Sequence, residues 1–376
     1  MLRKITNFSV LLCILLLQGC FIHQKIIIKG KGNIKLEQVD FNELDGWQSD
    51  DHKKALQAFI QSCNKFARMA QSRIIGVQIG DITAGDFRDV CEIAQVVKTM
   101  STKQAQNFFE NWFKAFLVSD RSGNSKGLFT GYYEANLQGS RIKTEKFKYP
   151  IYTKPHDLNS NPYLTRKEIE DGALKNKGLE LVYVDDPAEL FFMHIQGSGR
   201  INLPDNTVMR LSFAARNNQP FIGISNYMLE KGYIDRSELN AESIKKWLQK
   251  NPDKAEEVMN INSAYTFFKQ SESEYVVGAQ GVPLTAERSL AIDNAVLPYG
   301  LPIWLDTVLY KKSGAKEKYS RLLIGQDTGS AIKGVVRGDI FFGYGEEAEE
   351  RASYTAARGQ YYILLPINIV DKMRAR

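Results

Sequence analysis

Read from its start, the chain shifts from helical to strand periodicity near residue 119. Ala55, Leu56, Phe59, Ile60, Cys63, Phe66 and Ala67 recur at the three-to-four spacing of one helical face, behind Asp50 and Asp51 at a helix start. Phe87, Val90, Cys91 and Ala94 repeat the pattern and predict a second helix over 84–98, with a third over 102–116. After the loop 120–127, the stretch LFTGYYEANL is alternating and aromatic, as a half-buried strand is. KYPIYTKP, GLELVYV and AELFFMHIQGSGRINL predict further strands, the last folded into a hairpin at Gly197, Ser198 and Gly199. Helices return over 221–230 and, capped by Asn240, over 241–249, and Pro252 opens a short continuation. Strands then run from 264 to 366 around one helix over 346–357, which begins in acids and ends at Arg358 and Gly359. The expected fold is mainly β with N-terminal helices, without internal repeats.

One stretch concentrates the chemistry. Residues 322–345, LLIGQDTGSAIKGVVRGDIFFGYG, alternate apolar runs over 322–324, 335–336 and 340–342 with glycines, and their only acids are Asp327 and Asp339. Such runs predict short buried strands with the two carboxylates at their ends. Apolar neighbours such as Ile340, Phe341 and Phe342 would raise an acid's pKa enough to keep a proton near neutral pH. The plainer reading is that each Asp caps a turn.

The whole chain sets the frame for these residues. Its 376 residues leave room for about two or three domains, and 43% hydrophobic residues fit a folded body. The net charge of +6 comes from 49 basic and 43 acidic residues spread along the chain. With no basic stripe interleaved with aromatics, nucleic acid is weakly supported, and a carboxylate-bearing matrix suits the charge equally well.

Arg3 and Lys4 precede an apolar run over 10–17 that is too short to span a bilayer and fits an export signal. The tetrapeptide Leu17-Gln18-Gly19-Cys20 resembles the bacterial lipobox, with residues 1–19 removed and Cys20 carrying lipid. Phe21, in place of an Asp, then implies the outer membrane, facing the periplasm. Residues 20–39 are expected as a basic tether with room for one strand. With Cys20 carrying lipid, Cys63 and Cys91 are the only free thiols left in the mature chain, and an oxidising compartment suggests that they are bonded. Two buried free thiols are the alternative. Four histidines and no metal-ligand spacing make zinc improbable.

Seven segments together point to a family. GVPLTAERSLAIDNAVLPYGLPIWL, IGQDTGSAIKG and RGDIFFGYGEEAEERA resemble the three-aspartate domain, whose aspartates are Asp293, Asp327 and Asp339 here. With GLFTGYYEANLQGSR, YLTRKEIEDGAL, FFMHIQGSGRI and NINSAYTFFKQ in the same order, the chain resembles membrane-bound lytic murein transglycosylase A over about residues 100–366.

That resemblance implies a double-psi β-barrel domain built from 40–136 (with the N-terminal helices) and 260–366. A second β domain over 137–259 is inserted between them, and 367–376 is left as a tail. It implies a groove for glycan strands of peptidoglycan, with Asp339 as the catalytic acid and Asp327 lining the same site. Asp293 has a structural role, and Thr130, Tyr132, Gln196, Ser198 and Thr328 contact substrate. No cofactor is implied, and the partners are peptidoglycan, the membrane through the lipid, and other cell-wall enzymes. The chain departs from the family in reading Thr328-Gly329-Ser330-Ala331 after Asp327, where a second glycine is usual, and in NNQPFIG at 217–223.

Two rivals remain open. One is a hydrolase on the same barrel, using Asp327 or another acid as base roughly 6.5–9.5 Å from Asp339. The other is a non-catalytic lipoprotein that binds the wall.

Overall fold

The computed structural model describes residues 25–99, 101–159 and 161–375. The signal, Cys20 and the start of the tether lie outside the described residues. Six strands close on one another. Ala356–Pro366 pairs with Pro302–Tyr310, which pairs with Lys316–Asp327, then Ser289–Ile292, then Arg337–Tyr344, then Gly127–Ser140, which returns to Ala356–Pro366. Two junctions are parallel, Ser289–Ile292 with Lys316–Asp327 and Arg337–Tyr344 with Gly127–Ser140, and the other four are antiparallel. On the ring strands Leu290, Ile303, Trp304, Leu322, Ile324, Ile340 and Ile363 are all fully buried.

The 14-residue strand Gly127–Ser140, the long strand below, serves two sheets. Its first half belongs to the ring, and residues 135–138 run parallel to Ser198–Asn202. That strand pairs with Val208–Arg216, and Val208–Arg216 with Thr266–Gln270. The expected boundary at residue 136 therefore falls inside one continuous strand. At the crossover Gly131 is required by packing, since a Cβ there would lie 2.4 Å from the Phe342 ring.

The N-terminal helices His52–Ala67, Arg88–Val97 and Thr102–Trp112 pack on the outside of the ring through Phe59, Phe108 and Phe109. A disulfide joins Cys63 to Cys91 between the first two. Arg288 donates two hydrogen bonds to Asp50 at 2.7 and 2.8 Å, a buried pair that ties the helix entry to the ring.

Several elements differ from their expected form. The first half of the supposed hairpin is a helix, Pro187–Gln196, capped by Asp186, opened by Pro187 and closed by Gly197 at φ +83°. Its sequence shows no polar stripe because it lies between two cores: Leu190 and Met193 face the main one, and Phe191 and Phe192 join Met228, Leu248 and Val258 in a second.

The third helix stops at Trp112, and Phe113–Ser119 is a strand between Lys35–Val39 and Ala356–Pro366. The acidic helix ends at Tyr354, so Arg358 and Gly359 pair with the long strand and cap nothing. Residues 335–336 belong to the loop entering Arg337–Tyr344 and form no strand of their own. The expected tether carries two strands, Ile27–Lys29 and Lys35–Val39, with Ile34 and Leu36 in the main core. The expected tail is a helix, Ile367–Arg374, that buries Ile369 and Val370.

Candidate active site

Parallel pairing sets Asp339 opposite Thr130, and Thr130 donates a 2.6 Å hydrogen bond to Asp339 Oδ1. The strand's period of two puts Arg337 on the same face as Asp339. Arg337 Nη2 donates to Thr130 Oγ1 at 2.9 Å, which leaves the hydroxyl proton directed at the carboxylate. Burial dominates at Asp339 and carries its pKa up to about 6, against the Thr130 hydrogen bond and Arg337, which pull it down, and with a further push from Asp327.

Asp327 is an acceptor on every side. Tyr132 Oη donates to its Oδ2 at 2.7 Å, and the backbone N–H groups of Ala279 and Thr328 donate to its Oδ1, each at 2.9 Å. Burial raises its pKa and these three donors oppose the rise. Burial, followed by the Asp327 charge, pushes the Tyr132 phenol well up, so it remains a donor across the working pH range. Thr328 turns its hydroxyl to Ile292 O at 2.8 Å, which fixes the strand exit.

A cleft of about 670 Å³ opens over these groups between the ring and the second sheet. Asp339, Asp327, Tyr132, Thr328, Gln196 and Ser198 all line it. Gln196 uses its carbonyl oxygen to accept from Tyr133 N at 3.0 Å, which leaves its amide N–H groups for the cleft. Thr130 stands behind Asp339 and does not line the cleft, so it reaches a ligand through the acid. Asp293 is also off the cleft. It accepts from Gly334 N at 2.9 Å and Ala295 N at 3.2 Å and draws Lys333 to 3.5 Å, holding the loop after Asp327.

Sequence reasoning missed Arg337, although its position two residues before Asp339 on a strand was a usable signal. It also missed Arg216, Lys269, Phe213 and Phe221 of the cleft wall, although Lys269 lies in NINSAYTFFKQ and Phe221 in NNQPFIG. Among the described residues, no group of three or more His, Cys, Asp and Glu side chains is placed to hold a metal ion.

Comparison with known proteins assigns this architecture to a class. The MltA specific insert domain matches residues 128–269 and the 3D domain matches residues 288–365. Membrane-bound lytic murein transglycosylase A of Vibrio cholerae is 33% identical over 249 residues, 65% of this chain and 66% of that protein, so the match spans just under two thirds of the relative. A crystal structure of the membrane-bound lytic murein transglycosylase from Agrobacterium tumefaciens superposes with a TM-score of 0.80 at 30% identity, covering 90% of this chain and 99% of that one. The Escherichia coli MltA structure with bound chitohexaose gives a TM-score of 0.68 at 25% identity, covering 83% and 90%.

The class is thus that of the membrane-bound lytic murein transglycosylases. The chain belongs to the MltA family.

Proposed function

We propose that this protein cleaves the β-1,4 bond between N-acetylmuramic acid and N-acetylglucosamine in peptidoglycan and leaves 1,6-anhydromuramyl ends. One observation carries the reading. Asp339 holds its proton up to about pH 6 in the cleft, while both oxygens of Asp327 are already engaged by three donors. Ordinary glycoside hydrolysis needs a second carboxylate to activate water or to attack the sugar. Here the second carboxylate is committed to holding Tyr132 and two backbone amides.

A single acid is sufficient if the substrate supplies the nucleophile. Protonated Asp339 gives its proton to the glycosidic oxygen as the bond from the muramic C1 breaks. The C6 hydroxyl of the same sugar bonds to C1, and the Asp339 carboxylate takes the hydroxyl proton, which restores the acid with no water consumed. An attached and oriented nucleophile has an effective concentration on the order of 10⁵ M or more, so water does not compete. The Gln196 amide and the rings and hydroxyls of the cleft suit a polar, flat-faced sugar chain.

On this reading the six-strand ring is a double-psi β-barrel and the second sheet with its helices is the inserted domain. The lipobox ending at Cys20 anchors the protein to the outer membrane, facing the periplasm. Asp339→Asn tests the role of the acid. The variant is expected to bind isolated glycan strands and to release no muropeptides, and an unchanged release rate would overturn the assignment.

A further inference from the structure

The two walls of the cleft differ in charge. Asp339 and Asp327 stand on ring strands, whereas Arg216 and Lys269 stand on the antiparallel pair Val208–Arg216 and Thr266–Gln270, and all four line the same cleft. The register sets Arg216 opposite Thr266 and Ser212 opposite Lys269. Both cations line the cleft, Arg216 from the end of its strand beside Thr266 and Lys269 from the position paired with Ser212.

Moving from the acid strand, the chain pairings pass through the long strand and Ser198–Asn202 before reaching Val208–Arg216. Two strands intervene between the acid strand and the cations, which therefore serve a part of the ligand away from the reacting bond.

Arg216 is half-buried, yet it makes no hydrogen bond or ion pair with any described residue. The other enclosed arginines are all engaged. Arg166 bonds two backbone carbonyls and Glu170, Arg288 holds Asp50, and Arg200 and Arg210 share Glu134. Burial alone acts on Arg216 and lowers its pKa, with no carboxylate nearby to offset the effect. A cation withdrawn from water without an anion is a cost, and the cost is repaid if the ligand brings the anion. Lys269 likewise has no ion pair among the described residues. Phe213 and Phe221, 49% and 37% exposed, flank them in the cleft and present apolar surface to the same ligand.

We propose that Arg216 and Lys269 form a carboxylate-binding subsite for the peptide stem carried on muramic acid, with Phe213 and Phe221 against the stem's apolar side chains. The stem has free carboxylates and methyl groups, whereas the sugar backbone that bears it has no free carboxylate, since each substituted lactyl group is an amide, and no extended apolar surface. The guanidinium fork matches a carboxylate with two parallel hydrogen bonds, and the ammonium adds a second point charge. The inference rests on the peptidoglycan reading above and extends it from the sugar chain to its substituent.

The test measures binding, so that it stands apart from the chemistry. In the Asp339→Asn background, affinity is measured for glycan strands with intact stems and for chito-oligosaccharides, which carry neither a stem nor a lactyl carboxylate. The expected result is that Arg216→Gln and Lys269→Gln each lower the ratio of the two affinities about tenfold, the loss of one charge-assisted contact. Arg216→Lys retains an intermediate ratio. Lys269 is exposed, so its variant folds even if the Arg216 variant does not. An unchanged ratio in the folded variants overturns the proposal. If the ratio falls but the parent protein yields no anhydromuramyl ends, the subsite stands and the proposed reaction fails.

Discussion

Thr130 and Asp339 lie 209 residues apart in sequence and 2.6 Å apart in space, joined by a hydrogen bond from the threonine hydroxyl to the carboxylate. The parallel pairing that sets them opposite each other is also one of the two parallel junctions of the ring. Fold closure and acid placement therefore depend on the same register. Arg337, which donates to the Thr130 oxygen, makes Thr130 a positioning residue for the acid with a defined hydroxyl orientation.

The pH profile should report this arrangement. On the proposed mechanism Asp339 starts protonated, so kcat/KM for muropeptide release is expected to fall about tenfold per pH unit as pH rises past about 6. Thr130→Val removes a donor that favours the carboxylate, so the descending limb should move to higher pH, by up to about one unit. Its kcat should also fall about tenfold, because the carboxylate is then less able to hold its place as the later base. A limb at the wild-type position would contradict the role given to Thr130.

The acid should also cost stability. Its folded pKa of about 6 lies above its ordinary value of 3.8, so the folded state binds the proton more tightly than the unfolded chain does. The contribution is fully present below about pH 3.8 and is lost as pH rises through about 6. Asp339→Asn is therefore expected to be about 3 kcal/mol more stable than wild type at pH 8, with the gap closing near pH 4. Thermal unfolding across that range measures it.

Asp327 is expected to behave as a holder. Asp327→Asn turns one acceptor into a donor that faces an N–H or the Tyr132 hydroxyl, at a cost of about 1–3 kcal/mol. Turnover should fall about tenfold to a hundredfold and still be measurable, with the same products. Complete loss of turnover with binding intact would make Asp327 a second catalytic carboxylate.

The Cys63–Cys91 bond closes a loop with a sequence separation of 28 between two helices. The double variant Cys63→Ala/Cys91→Ala is expected to be about 2–4 kcal/mol less stable than wild type. Denaturant unfolding reads this, and the rate of muropeptide release at low temperature should stay within about twofold of wild type.

Much of this was visible in the sequence where one physical signal stood alone. Alternation marked LFTGYYEANL as a strand, and two isolated carboxylates among apolar runs marked Asp327 and Asp339. Pro187–Gln196 was missed because a helix packed between two cores has no polar face to reveal its period. The strand starting at Phe113 was missed because the apolar run FKAFLV fits either period, and only its pairing with Lys35–Val39 and Ala356–Pro366 decides. The cationic wall is a product of pairing: Arg216 and Lys269 reach one cleft because Val208–Arg216 pairs with Thr266–Gln270 across an intervening helical segment.

The central claim is that the substrate's own C6 hydroxyl attacks and water does not. Mass spectrometry of peptidoglycan digested by the purified, lipid-free protein tests it most directly. Anhydromuramyl ends, one water lighter than reducing ends, are the result expected. Reducing ends alone would contradict it.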